Sequence, residues 1–227
     1  MRDAVLAVAR LGGGVLSGAT AGLAALRSRA KPLHPRGEVW QGRLVRSGNP
    51  ASATGVVWLD EPGEDAVLVR LSAAIGLPSL TWDIAGLAIR LSDEGDADVL
   101  LATTGAGPLT RFVLLPTLAA HQSGLTTLLP YRTPVGPLFL RAVPEGGSGS
   151  ETSTRYTLAY ARGLRGWVDF AHLELVQRSE AHVSFDPVLS SPPGLGIYPW
   201  VALLRAPAYA RARRSRGDSA RHEGAGP

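Results

Sequence analysis

One short segment near the start of the chain concentrates residues that could do chemistry. Lys31 and Arg36 flank His34, and Gly37 opens an alternating run immediately afterwards. A histidine can hold or move a proton near neutral pH, although an isolated histidine is more often structural than catalytic. The remaining histidines are widely separated and lack the spacing of paired metal ligands. The segment therefore makes His34 a candidate for catalysis and leaves a structural role open.

The composition excludes several other classes of site. The chain has no cysteine, so disulfides, thiolate metal sites and cysteine nucleophiles are ruled out. It contains no P-loop and no G-x-S-x-G elbow. Gly105–Ala106–Gly107 is a fragment of a dinucleotide fingerprint without its third glycine. Asn49 is the only asparagine, which gives a dinuclear metallohydrolase little of the ligand set that it needs.

Short strands separated by turns must position these side chains. With 27 glycines and 17 prolines in 227 residues, the composition favours many turns over a helical bundle. The runs that predict strands are Gly37–Arg46, Ala66–Leu71, Ile84–Leu91, Asp98–Ala102, Arg111–Leu115, Leu138–Val143, Tyr156–Arg162 and Leu173–Gln177. The acidic stretch Asp60–Asp65 contains Pro62 and Gly63 and predicts a solvated turn. Pro144–Thr154 predicts a flexible loop by its composition.

Helical patterns occur only towards the two ends of the chain. We expect an N-terminal helix within residues 1–30 and a mixed helical stretch over Trp200–Arg216, after the break at Pro192–Pro193–Gly194. Strands in the middle and helices at the ends predict an α+β fold, an antiparallel β-barrel with N- and C-terminal helices.

Several blocks of the chain resemble the haem catalases. Lys31-x-x-His34-x-Arg36-Gly37 is similar to the distal histidine motif at the start of the catalase barrel. The blocks that follow in the catalase order are Val69–Ser72, Asp83–Arg90, Asp98–Leu100, Leu173–Leu175, Phe185–Pro187, Pro192–Gly194 and Arg205-x-x-x-Tyr209. No single block is specific, so the resemblance depends on their order. It implies a catalase-type barrel domain over residues 31–216 that binds haem b.

The resemblance also implies roles for individual residues. His34 would be the distal acid–base group that moves a proton between the peroxide oxygens. Ser72 would hydrogen-bond the histidine ring and fix its tautomer. Tyr209 would bind the haem iron as a phenolate, and Arg205, one helical turn earlier, would lower the pKa of that phenol. The cations expected to face the haem propionates are Lys31, Arg70 and Arg216.

The implied activity is haem-dependent breakdown or use of hydrogen peroxide or an organic hydroperoxide. The chain is far shorter than catalases, which implies a more open pocket that admits organic hydroperoxides. Catalases carry an asparagine amide beside the distal histidine, whereas the matching stretch here is Ala102–Thr103–Thr104. Pro207 also lies inside the Arg205–Tyr209 turn, where it would kink a helix. Loss of the amide favours an alternative, a non-enzymatic catalase-fold barrel that carries haem or binds another small molecule.

The two ends of the chain carry different signals. Leu11–Leu26 is an uncharged run of about 16 residues, whereas a membrane span needs roughly 20. We therefore expect residues 1–30 to pack on the domain or to lie at a membrane surface. The formal net charge of +4 comes largely from arginines near the C-terminus, but no aromatic residue follows Tyr209, so no nucleic-acid surface is expected. Residues 217–227 are predicted to be a disordered tail, and the lack of cysteine fits a cytoplasmic location.

Overall fold

The protein was analysed as a computed structural model. It describes residues 37–49, 53–73, 84–92, 97–105, 107–117, 124–146, 153–181, 183, 185–187 and 190–203. They form a mostly β structure in which the strands are β1 Gly37–Arg46, β2 Gly63–Ala73, β3 Ala85–Leu91, β4 Ala97–Thr103, β5 Leu125–Thr126, β6 Tyr131–Thr133, β7 Gly136–Pro144, β8 Arg155–Arg162, β9 Val168–Ser179 and β10 Gly196–Ile197. The helical elements are α1, Val57–Asp60, a 3-10 turn, Thr110–Phe112, and a helical stretch at residues 199–203.

Eight of these strands close into an antiparallel barrel. The strands β1 to β4 pair in sequence order, and β4 continues through β5 to β7. The other edge of β7 pairs with β8, which pairs with β9, and β9 returns to β1. The short strand β6 also pairs with β7, and β10 pairs with β6. The expected antiparallel barrel is therefore confirmed.

The barrel interior is filled by side chains from alternating positions of each strand. In β3 the odd-numbered residues are buried and the even-numbered ones are less so, which is the period expected of a strand with one face on a core. The core residues on this inner face include Leu44, Val69, Leu87, Ile89, Val99, Leu140, Tyr156 and Leu173. Small barrels of this kind are packed bodies rather than pores.

One end of the barrel is closed by α1 and by a buried ion pair. Trp58 and Leu59 of α1 are buried in the core cluster. The Arg46 guanidinium contacts both oxygens of Asp65, at 2.8 and 3.4 Å, and the Trp58 indole N–H donates to the same carboxylate at 3.3 Å. The expectation of a solvated turn over Asp60–Asp65 was thus wrong for Asp65. That residue belongs to β2, and its side chain is only 4% exposed.

Most of the predicted strands are confirmed, and β1 has the expected bounds. The predicted strand Arg111–Leu115 was wrong: it contains part of the 3-10 turn and a single bridge between Leu114 and Thr104. The sequence did not indicate β5, β6 or β10. Residues 1–30 lie outside the described part of the chain, as does most of Trp200–Arg216, of which residues 200–203 are described and helical. The terminal helices and the disordered tail, residues 217–227, stay predictions.

We expect Asp65→Asn to lower the free energy of unfolding by about 3 kcal/mol, because the Arg46 guanidinium would stay buried without its carboxylate. As a control, Glu174→Gln removes exposed ion pairs with Arg43 and Arg155. That change should alter the free energy of unfolding by less than about 1 kcal/mol. Urea unfolding followed by tryptophan fluorescence measures both, and equal losses in the two variants would contradict this account of the pair.

Burial raises the pKa of Tyr156 to about 12, from an ordinary value of 10.0. The folded chain then favours the neutral phenol, so this group's contribution to stability is complete below about pH 10 and is lost as the pH rises towards about 12. Tyr156→Phe should therefore flatten the decline in the free energy of unfolding over that range. Denaturant unfolding at a series of alkaline pH values tests it, and an unchanged decline in the variant would refute it.

Candidate functional site

The outer face of β1 to β4 carries a patch of mostly small side chains, which we call the floor. Its residues form two cross-strand rows: Gly37, Ser72, Gly86 and Ala102 in the first, and Val39, Arg70, Ala88 and Leu100 in the second. Side chains alternate between the two faces of a strand, so the floor points away from the packed interior. Adjacent strands lie about 4.8 Å apart, which makes four strands about 14 Å wide.

Two glycines make room for the polar side chains of the floor. A Cβ atom on Gly37 would collide with Nε of Arg70, and one on Gly86 would lie 2.8 Å from Oγ of Ser72. The Arg70 and Ser72 side chains therefore lie along the sheet over neighbouring glycines. Glycine within a strand commonly marks a place where another group approaches the backbone closely.

Arg70 and Ser72 lie two residues apart on β2 and share the outer face. The Ser72 hydroxyl donates to the Gly86 carbonyl at 3.4 Å, a long hydrogen bond that leaves its oxygen able to accept another. Arg70 lies over Gly37, the first residue of β1. The floor thus presents one cation and one hydroxyl beside the point where the chain enters the barrel from residue 36.

A buried ion pair borders the floor one row further along β3 and β4. The Arg90 guanidinium donates to both carboxylate oxygens of Asp98, each at 2.8 Å, and the Asp98 side chain is fully buried. The backbone N–H of Asp186 also donates to Asp98, at 2.6 Å. Sequence analysis included Arg90 and Asp98 among the matching blocks but did not detect this pair, because the pairing follows from the register between β3 and β4.

The stretch Ala102–Thr104 adds no hydroxyl to the rows of the floor. Thr103 follows Ala102 on β4, so its side chain lies on the opposite, inward face, where Leu101 is also buried. The Thr104 hydroxyl is 2.8 Å from that of Thr126, so the two hydroxyls already bond to each other. Ala102 therefore supplies only a methyl group at this position of the floor.

A separate cluster surrounds Trp167, which lies in the turn before β9, away from the strands of the floor. The guanidinium carbons of Arg111 and Arg141 lie 4.4 and 5.6 Å from the Trp167 ring centroid. Arg111 donates to the carbonyls of Gly163 and Arg165 in the turn between β8 and β9. Burial, and then the nearby Arg141, lower the pKa of Arg111. These contacts tie the 3-10 turn to the β8–β9 hairpin, which is a structural role.

The structure describes two of the predicted site residues, Arg70 and Ser72, and brings them together on the floor. The predicted residues that lie outside the described part of the chain are Lys31, His34, Arg205, Tyr209 and Arg216. Their predicted roles, including the Tyr209 ligand to iron, stay predictions. The described ranges contain no cluster of histidines and carboxylates suited to a metal ion. No helix within them has the length and hydrophobicity of a membrane span.

Comparison with solved structures decides the fold. Catalase A from Saccharomyces cerevisiae superimposes with a TM-score of 0.58 over 86% of this chain and 63% of that one, at 11% identity. The chain has a catalase-like fold. A fungal catalase and a bacterial catalase superimpose with TM-scores of 0.57 and 0.55, at 13% identity each, over 86% and 85% of this chain and 61% and 59% of theirs.

The catalase-like fold is the extent of what these comparisons show. The chain spans about three fifths of the length of these catalases. At 11–13% identity, likeness in structure does not carry the activity across. No protein-family model and no curated protein sequence matches the chain.

We expect the effect of Gly86→Ala on the free energy of unfolding to depend on the Ser72 side chain. The new methyl group would meet Ser72 Oγ at 2.8 Å, so the substitution should cost about 1 kcal/mol of stability in the wild-type background. In a Ser72→Ala background the methyl has room, and the cost should fall by about 0.5 kcal/mol or more. A double-mutant cycle by urea unfolding measures this coupling. Additive effects would show that the two side chains do not share this space.

Proposed function

We propose that the protein binds haem on the floor and uses it to reduce or disproportionate peroxides. One observation carries the proposal: in a catalase-like fold, the outer face of β1 to β4 presents small side chains with Arg70 and Ser72 lying across them. Arg70 and Ser72 also belong to a block of sequence that resembles catalases.

The residues of the floor fit the shape and chemistry of haem. Ala88 and Ala102 contribute only methyl groups, and the Arg70 and Ser72 side chains lie along the sheet over Gly37 and Gly86, so a planar apolar ring can come close to this face. The width of four strands, about 14 Å, is enough for such a ring. Arg70 offers a guanidinium in the same face, and a propionate is the kind of group that a half-buried arginine binds well. Lys31 and Arg216 are proposed as its partners in this role.

Bound haem would supply the iron at which the peroxide O–O bond is broken. We propose Tyr209 as the residue that holds that iron, with the positive charge of Arg205 favouring the phenolate. The side chains of this chain would manage the protons. His34 would take a proton from one peroxide oxygen and return it to the other. Ser72 Oγ, opposite Gly37 at the entry to β1, would hold the histidine ring in one tautomer.

The floor offers a peroxide few polar contacts. Ser72 is the only hydroxyl in its first row, and Ala102 contributes a methyl group. Leaving water for such a site costs less free energy for a peroxide with an apolar organic substituent than for hydrogen peroxide, because burial of apolar groups is favourable. We therefore include organic hydroperoxides, together with hydrogen peroxide, among the substrates.

The first test is reconstitution with haemin, followed by absorption spectroscopy. We expect one haem per chain and the charge-transfer band of a ferric tyrosinate complex, which Tyr209→Phe should abolish. Tyr198→Phe, a half-buried tyrosine that stacks on Trp200, is the matched control and should leave the spectrum unchanged. Failure to take up haem, or uptake that Tyr209→Phe leaves unchanged, would refute the proposal.

The second test measures turnover. We expect His34→Ala to keep the haem spectrum but to lower kcat/KM by about 100- to 10,000-fold, the usual contribution of a positioned acid–base group. Hydrogen peroxide and cumene hydroperoxide are the substrates to compare. Equal rates for the wild type and the variant would remove His34 from the mechanism.

A second candidate function is haem carriage, or binding of another small molecule, without turnover. The observation in its favour is the stretch Ala102–Thr104, where the Thr104 hydroxyl is held by Thr126 and no amide is present. The same experiments separate the two: stoichiometric haem uptake with peroxide turnover no faster than that of free haemin would support the carrier.

A further inference from the structure

The Arg90–Asp98 ion pair lies on the outer face of the barrel, one row beyond Ala88 and Leu100 of the floor. It is bidentate, with both N–H···O distances at 2.8 Å, and its carboxylate is fully buried. A carboxylate without solvent contact needs all its acceptor sites satisfied, because an unpaired buried charge is strongly destabilising. The structure therefore holds this pair in one geometry.

Asp98 also holds the chain segment that returns after β9. Its carboxylate accepts the Asp186 backbone N–H at 2.6 Å, and its own backbone N–H donates to the Ser190 carbonyl at 2.7 Å. Phe185, which is buried, packs its ring 5.2 Å from the Arg90 guanidinium carbon. Three contacts of different chemistry thus fasten Phe185, Asp186 and Ser190 to β3 and β4 beside the floor.

This segment has little regular structure of its own to fix its place. Between the end of β9 at Ser179 and the start of β10 at Gly196, the described residues contain no strand. The two hydrogen bonds that Asp98 makes with Asp186 and Ser190 hold the segment beside the floor, and Leu195 then packs in the core cluster. Residues 191–203 continue from there, and the predicted ligand Tyr209 follows them in the chain.

We propose that the Arg90–Asp98 pair is a positioning device for the haem site. By holding Phe185, Asp186 and Ser190 against β3 and β4, it sets the border of the floor. Neither Arg90 nor Asp98 would touch the peroxide or the iron. The inference rests on the proposed function, since it concerns the geometry of the same site.

The test compares three variants. Asp98→Asn keeps the shape but removes the negative charge and replaces one acceptor oxygen with a donor. Because Oδ2 alone accepts from Arg90 Nη2 and the Asp186 N–H, an amide oxygen in that place loses the hydrogen bond that Arg90 Nε makes to Oδ1. Arg90→Lys keeps the charge but loses the bidentate geometry. If Asp98→Asn fails to fold, this second variant still allows the measurement. Asp65→Asn is the matched control, because it breaks a similar buried arginine–carboxylate pair. That pair involves Arg46 at the end of β1, whereas the floor includes Gly37 at its start.

Haem affinity and the tyrosinate charge-transfer band are the first readouts, with thermal unfolding recorded for each variant. We expect Asp98→Asn and Arg90→Lys to bind haem about tenfold or more weakly and to shift or broaden the band. Asp65→Asn should lose comparable stability while its haem affinity stays within about twofold of wild type. If haem affinity instead falls with stability in all three variants, the pair is merely structural and the inference is overturned.

Hydrogen–deuterium exchange of the chain without haem separates this inference from the proposed function. Amides of residues 185–203 should exchange faster in Asp98→Asn and Arg90→Lys but not in Asp65→Asn. Unchanged exchange in that segment overturns the positioning role, whether or not haem binds. A wild-type chain that takes up no haem, but shows the expected exchange pattern, would overturn the proposed function and leave Arg90–Asp98 as the anchor of the segment only.

Discussion

Closure of the barrel through β7 is the constraint on which the rest of the structure depends. One edge of β7 pairs with β5 and β6, and the other pairs with β8, so a single strand joins the two halves of the sheet. Once the sheet is closed, every strand has an inner and an outer face, and the alternation of side chains assigns each residue to one of them. The packed core and the floor are the two results of that assignment on the same strands.

Two buried arginine–carboxylate pairs serve the two faces. Arg46–Asp65 secures α1 across one end of the interior, with Trp58 bonded to the same carboxylate. Arg90–Asp98 lies on the outer face and secures the segment that returns after β9. In both places a carboxylate binds an arginine and a further donor, so the ion pair acts as a joint between the barrel and a piece of chain that has few strand pairings of its own.

Sequence reasoning succeeded where alternation extends over many residues. The run Gly37–Arg46 could be delimited correctly, and the placing of Arg70 and Ser72 on one face follows from their spacing of two. Strands of two or three residues, such as β5 and β10, are too short to show a period. Asp65 was misjudged because proximity to Pro62 and Gly63 suggested a turn, whereas its pairing with Arg46 depends on strand register. The partnership of Asp98 with Asp186 joins residues far apart in sequence, and no local pattern encodes it.

The filled interior has a consequence for access. Leu87, Leu140 and Tyr156 belong to one packed body, so the barrel offers no route through its centre. A small molecule that binds the floor, as we propose, would therefore reach it from outside the barrel. The size of the molecule that fits would depend on the segments that border the floor, whereas resistance to unfolding depends on the core. Substitutions in those bordering segments would then change which molecules bind without disturbing the core.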